Sequence, residues 1–205
     1  MDRASRTATT PQAWAAYPVI MQDIARGWWI YGTPIGARGC FLSAMATPGA
    51  RCNGVIYPVS DVELAQTDQR EVTYDRVLIK PENITFLDGR RALPDGADVW
   101  FYSLAQGASV EHSRATAQYP IVQSYVDTCL NGCLELEMLY PLAQDQQFAR
   151  MFITETRDWS RHWVNDRLYP RQPFIAVPRS LQIDALLTEL LPDLYSNIKI
   201  ERVGL

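Results

Sequence analysis

A carboxylate at position 71, followed closely by a tyrosine, is the feature of this 205-residue chain best suited to do chemistry. Ser60 followed by Glu63 carries the signature of a capping box, so the spacing predicts a helix directly after the apolar run Val55-Ile56-Tyr57-Pro58-Val59. Counted from that start, Leu64, Thr67, Asp68 and Glu71 share one helical face. Leu64 turns the face inward, and Glu71 goes with it. A carboxylate so placed must be paired, hydrogen-bonded or protonated, and such groups are frequent among working residues. The bland alternative is a solvated carboxylate at a helix end. Tyr74–Ile79 reads as a strand, so Glu71 sits where a helix hands over to a sheet and a pocket can open. Other reactive residue types offer less. Cys129 and Cys133, one helical turn apart, could ligate a metal with His112 or His162. Free cysteines pack as small apolar side chains, however, and no second cysteine pair completes a site, so no metal is expected. No pattern marks a histidine as the partner of a cysteine nucleophile.

The elements that must position these residues come in a strand-first order. Runs at 24–31, 38–45, 53–59, 74–79 and 98–104 read as strands, with a turn at Thr47-Pro48-Gly49 and loop-like sequence from Pro81 to Gly96. Tyr119-Pro120 is expected to open a helix whose apolar stripe is Ile121, Val122, Tyr125, Val126, Cys129, Leu130 and Cys133. This order predicts an α+β fold, a mixed and largely antiparallel sheet that is curled or closed into a small barrel with flanking helices. Residues 1–135 form the main domain in this reading, and 136–205 a helical extension packed on it. The extension is expected to hold a polar helix at 145–156. A second helix runs from Ser180 with Ile183, Leu186, Leu187, Leu190 and Leu191 on one face, stopping at Pro192. Trp159 and Trp163, followed by Asn165-Asp166-Arg167, suggest either packing against the main domain with Asp166 and Arg167 paired, or a lid near the pocket.

Composition narrows the function classes. Hydrophobic residues make up 47% and charged residues 20% of the chain, as in a soluble globular protein with one sizeable core. A net charge of −4 and the lack of any Lys/Arg cluster argue against a nucleic-acid partner. No apolar run approaches the ~20 residues that span a bilayer, so no membrane partner is expected. The amino terminus has no apolar secretory core, and four cysteines without a dense framework suit a reducing compartment. Cytoplasm is the expected location. Six scattered tryptophans form no visible platform for carbohydrate.

Gly54-Val55-Ile56-Tyr57, then Leu64, then Asp68-Gln69-Arg70-Glu71 with Tyr74 and Arg76 following, resembles the γ-glutamylcyclotransferase family, including its ChaC-like branch. Tyr119, ahead of a helix containing Gly132, resembles that family's Tyr before a helix with a Gly near its end. The matches run in order from about Ile24 to Leu134. The resemblance implies a γ-glutamylcyclotransferase-like fold and intramolecular aminolysis of a γ-glutamyl amide. The substrate's α-amine attacks its own γ-carbonyl, an amine or peptide leaves, and 5-oxoproline is released. It implies Glu71 as general base, Tyr119 as a substrate-side hydrogen-bond partner, and neither cofactor nor metal. The implied partner is a small γ-glutamyl compound: glutathione, a γ-glutamyl amino acid or a γ-glutamyl amine.

Two departures accompany the resemblance. Thr67 stands where the family usually has Leu. The family's amino-terminal strand ending in Tyr-Gly-Ser, whose loop cradles the γ-glutamyl group, has no counterpart upstream of the matching region, and Met1-Asp2-Arg3-Ala4-Ser5-Arg6 resembles the residues that follow that loop. The expectation is therefore a chain starting just beyond the loop of a longer, more active protein, with Tyr31-Gly32-Thr33 as the other candidate for the loop's role. A non-catalytic binding or interaction protein of the same fold is the alternative that this departure favours.

Overall fold

The computed structural model describes residues 15–33, 38–72, 74–90, 92–104, 113–171 and 179–200. Two long strands organise them. Strand β1 (Tyr17–Gly32) pairs antiparallel with β2 (Gly39–Ile56), from Tyr17 opposite Ile56 to Gly32 opposite Gly39. The separate strands expected at 38–45 and 53–59 are one. Register jumps from Gln22 opposite Arg51 to Ile24 opposite Ala46, so Thr47-Pro48-Gly49 lies in a bulge rather than a chain reversal. Asp23 (φ 61°) and Gly49 (φ 77°) adopt left-handed backbone there, and the Gly49 N–H donates to Asp23 Oδ1 at 2.8 Å. Because β1 offers a partner on both sides of the turn residues, the turn is absorbed into the ladder.

Helix α1 (Asp61–Arg70) follows, with the capping box formed: Glu63 Oε2 accepts from the Ser60 N–H at 2.8 Å, and Ser60 Oγ from the Glu63 N–H at 3.3 Å. Strand β3 (Tyr74–Ile79) comes next, and a 3-10 turn at Pro81–Asn83 leads into β4 (Ile84–Phe86), which pairs with β1 inside the expected loop. Strand β5 (Val99–Leu104) pairs antiparallel with β3. Ile121–Val122, expected in a helix, is strand β6. The Cys40 N–H donates to Pro120 O on one side, and the Ile121 N–H donates to His162 O on the other, both at 2.8 Å. Two flanking partners and two β-branched residues outweigh the helix-opening tendency of Pro120. Helix α2 therefore starts later, at Gln123, and runs to Leu139. The remaining elements are α3 (Pro141–Asp145), α4 (Phe148–Thr154), β7 (Thr156–Arg157), β8 (Trp163–Asn165), α5 (Ser180–Leu190), α6 (Pro192–Tyr195) and β9 (Lys199–Ile200).

The result is α+β around one mixed sheet. Its order is β3-β5-β2-β6-β8-β9, with β1 pairing β2, β4 and β7. The long pairings are antiparallel, and the parallel ones span one or two residue pairs each. Among the described residues the sheet stays open at β3 and β9, so it is not the closed barrel that was one expectation.

One hydrophobic cluster joins Trp28, Ile121, Val126 and Leu130 to Phe148, Ile153, Ile183 and Leu187, so residues beyond 136 share the core of those before it. Helix α4, expected to be polar, buries Phe148, Ala149, Met151, Phe152 and Ile153. Trp159 packs between Trp28 (centroids 5.1 Å apart) and Trp163 (5.0 Å). Asp166 and Arg167 do not pair with each other. Asp166 accepts from Ser124 N–H, Ser124 Oγ and Arg171 N–H, while Arg167 forks to Asp127 on α2 and Asp184 on α5. Burial opposes the charge on Asp184, but hydrogen bonds from Arg167 and Tyr195 outweigh it and hold the carboxyl below its usual range.

Asp127 is fully buried and accepts from Gln123 Nε2 as well as from Arg167. Asp127→Ala should therefore destabilise the protein by ~3–5 kcal/mol in urea unfolding, because a half-buried guanidinium loses its fully buried partner. Ser60→Ala, at an exposed cap, should cost ~1 kcal/mol. Equal losses would mean that the bridge does not tie α5 to the core.

Candidate active site

The inward face of α1 is oriented as its spacing predicts. Leu64, Thr67, Asp68 and Glu71 are half-buried, whereas Ala65, Gln66, Gln69 and Arg70 are exposed, and no residue of α1 is fully buried. Glu71 is the C-cap. Its N–H donates to Thr67 O and its carbonyl accepts from the Tyr74 N–H, both at 2.9 Å, which fixes it between α1 and β3. The Glu71 side chain is 30% exposed, and Oε1 accepts from Arg70 Nε at 3.2 Å. A pair open to solvent on both sides holds the carboxylate only weakly.

Asp68, one position earlier on the same face, is held far more firmly. It accepts from the Tyr102 hydroxyl on β5 at 2.7 Å and from Arg76 Nη1 on β3 at 2.8 Å. The Arg76 guanidinium lies 4.9 Å above the Trp100 ring. These contacts tie α1 to two strands, and the Glu71 carboxylate acts electrostatically on two phenols. Burial, the hydrogen bond to Asp68 and the negative charges of Asp68 and Glu71 push the Tyr102 phenol up to about 12. Burial and Glu71 also push the Tyr74 phenol up, against an opposing influence from Ser43. Tyr74 approaches Ser43, whose buried Oγ makes no hydrogen bond of normal geometry. Tyr125 on α2 is shifted well above the ordinary tyrosine range, by burial first and then by its neighbours Cys129 and Tyr74. Tyr74 and Tyr102 thus lie within the field of the Glu71 carboxylate, Tyr74 beside Ser43, and Tyr125 within the field of Tyr74. One carboxylate can move a proton there, and several hydroxyls can donate to a developing oxyanion.

A cavity of about 360 Å³ adjoins this cluster, lined among others by Val55, Ile56, Leu64, Thr67, Trp100 and Tyr102. Glu71 is not itself a lining residue; it lies one turn beyond Thr67 on the same face.

Tyr119 is placed elsewhere. It lies in a bend before β6, with its ring stacked on Tyr31 (4.4 Å, 11°) and the Arg38 guanidinium 5.8 Å from its centroid. Tyr31, at the end of β1 with Gly32 and Thr33, donates to Arg114 O at 2.6 Å. These contacts gather Tyr119 with the Tyr31-Gly32-Thr33 segment and not with the Glu71 cluster. Reasoning from sequence missed Tyr125 and Ser43. Tyr125 falls inside the apolar stripe of α2, and its one signal is a hydroxyl among aliphatic positions; Ser43 carries no signal at all. Cys129 and Cys133 are buried and in no disulfide, and burial pushes Cys133 up to about 12. No group of three metal-ligating side chains occurs among the described residues, and His112 lies outside them. No described helix is long and apolar enough to cross a membrane.

No protein-family model matches the chain, and no curated protein matches it. Among solved structures it is similar to the uncharacterized human protein loc79017, over 76% of this chain and 82% of that one, at 17% identity and a TM-score of 0.42. A likeness that distant carries no function.

The shift of Tyr102 has a sign that can be tested. Its folded value of about 12 lies above the ~10 of an unfolded tyrosine, so its contribution to stability is full below pH 10 and is lost as pH rises through 12. Urea midpoints measured from pH 9 to 12 should fall, and fall less steeply in Tyr102→Phe. Parallel curves would remove Tyr102 as the source.

Proposed function

We propose that the chain is a γ-glutamylcyclotransferase, releasing 5-oxoproline from a γ-glutamyl amide by intramolecular aminolysis. The observation that carries this reading is Glu71: a partly accessible carboxylate with one exposed partner, whose charge reaches Tyr74 and Tyr102, in the ordered set of residues that resembles that family. Glu71 takes a proton from the substrate's α-ammonium, and the freed nitrogen attacks the γ-carbonyl carbon. The new C–N bond closes the five-membered ring. Tyr74, with Ser43 or Tyr125, donates to the oxyanion of the tetrahedral intermediate. The bond to the leaving nitrogen then breaks as the proton held by Glu71 passes to that nitrogen, and the ring nitrogen gives up its second proton through Glu71 to the departing amine, which leaves as an ammonium. Charge and atoms balance without water, nucleotide, metal or cofactor. Tyr125 takes the hydrogen-bonding part that the resemblance assigns to Tyr119, while Tyr119 borders the end of β1. The fold in this reading is γ-glutamylcyclotransferase-like, opened out at its edges. A small intracellular metabolite as substrate goes with a cytoplasmic location.

The second reading is a non-catalytic binding protein of the same fold. The Arg70–Glu71 contact favours it, because the guanidinium occupies an oxygen that a substrate ammonium would have to reach.

Glu71→Gln keeps the side-chain shape and cannot accept the proton. It should lower 5-oxoproline release, measured chromatographically over a panel of γ-glutamyl compounds, by ~10²–10⁴-fold while leaving the thermal midpoint unchanged. Full activity in the variant would assign the base elsewhere, and an inactive parent chain would favour the second reading.

A further inference from the structure

The cavity beside Glu71 has a composition that selects among γ-glutamyl compounds. Its walls are mainly apolar and aromatic: Val55, Ile56 and Val59 at the end of β2 and just beyond it, Leu64 of α1, and Val99 and Trp100 of β5. At about 360 Å³ it is the size of a site for a small organic group. Its polar groups are largely committed. The Tyr102 hydroxyl is spent on Asp68 at 2.7 Å. Arg90, the guanidinium among the described lining residues, is paired with Asp88 at 2.6 Å and lies 3.9 Å from the centre of the Tyr17 ring. Asp98 adds a carboxylate to the wall. The described lining therefore offers no surplus positive charge to a carboxylate, and its apolar surface rewards a ring or an alkyl chain.

Position ties the cavity to the reacting centre. Thr67 and Tyr102 line it; Thr67 accepts the Glu71 N–H through its carbonyl, and Tyr102 lies within the field of the Glu71 carboxylate. A γ-glutamyl group whose amide reaches Glu71 can extend its nitrogen substituent along the inward face of α1 into this space. We infer that the cavity is the leaving-group subsite, and that it takes the N-substituent of γ-glutamyl amides of uncharged apolar or aromatic amines in preference to substituents ending in a carboxylate, such as those of γ-glutamyl amino acids and glutathione. This inference rests on the cyclotransferase reading of Glu71. The reaction is the one already balanced, with the apolar amine as the leaving group.

The test compares γ-glutamylbenzylamide with γ-glutamylphenylalanine, which keeps the ring and adds a carboxylate, and with glutathione and γ-glutamylmethylamide. The expected result is a kcat/KM for the benzylamide about tenfold or more above those of the two carboxylates. Ala97 is an exposed residue of the cavity wall, so Ala97→Trp fills the space without disturbing the core. It should raise KM for the benzylamide at least tenfold more than for the methylamide, with the thermal midpoint retained. If 5-oxoproline is released but the carboxylate-bearing substrates are preferred, or Ala97→Trp acts equally on both amides, the subsite is wrong and the cyclotransferase reading stands. If no compound releases 5-oxoproline, that reading fails, and titration calorimetry of γ-glutamylbenzylamide decides the cavity by itself. Binding that Ala97→Trp weakens keeps it as an apolar-amine site, and absence of binding overturns it.

Discussion

The pairing of β1 with β2 is the constraint on which everything else depends. Strand β1 is buried on both sides. Trp28 enters the large cluster with the helices, and Trp29 enters a second one with Ala25, Ala50 and Leu104. A register shift between Trp28 and Ile30 accommodates the two bulky neighbours. Gly27 shows how tight this is, since a Cβ there would lie 2.3 Å from the Trp29 indole. Arg26 locks the ladder to the helical layer. Its guanidinium donates to Asn53 O at 2.6 Å and Asn53 Oδ1 at 2.9 Å on β2, to Thr156 Oγ1 at 2.9 Å, and to Phe152 O at 3.0 Å, while lying 4.2 Å from the centre of the Phe152 ring. Strands β5 and β6 hang on β2, and β4 and β7 on β1. The candidate site inherits its geometry from the same ladder. Ser43 belongs to β2, Tyr74 reaches it through β5, and Tyr125 follows β6 into α2.

What could be read in the sequence was what depends on near neighbours. The capping box of α1, its inward face, the β3 strand and the helix from Ser180 are set by residues within a few positions of one another, and the structure has them. Features decided by distant partners were not legible. The turn at Thr47-Pro48-Gly49 is a good local turn, and only the presence of β1 alongside makes it a bulge. Ile121–Val122 follows a proline that suits a helix start, yet hydrogen bonds linking the segment to Cys40 and His162 make it a strand. Arg167 beside Asp166 looks like a pair; only the fold brings Asp127 and Asp184 within reach. The candidate site divides in the same way. The place of Glu71 follows from helical phase, whereas the approach of Tyr74 to Ser43 is made across the sheet and no spacing encodes it.

Two carboxylates share the inward face of α1, and their surroundings separate their roles. Asp68 is engaged twice: a phenol and a guanidinium from two different strands occupy its oxygens. Since α1 buries no residue fully, these polar contacts add to the half-buried Leu64 in holding it on the sheet. Glu71 carries the opposite arrangement. Its backbone is fixed at both its N–H and its carbonyl, while its carboxylate has one exposed partner from the neighbouring residue. A fixed backbone with a loosely engaged side chain is what a proton-transferring group needs, because its position is set while its oxygens remain able to exchange partners. Asp68 ties α1 to two strands, whereas the Glu71 carboxylate is engaged by Arg70.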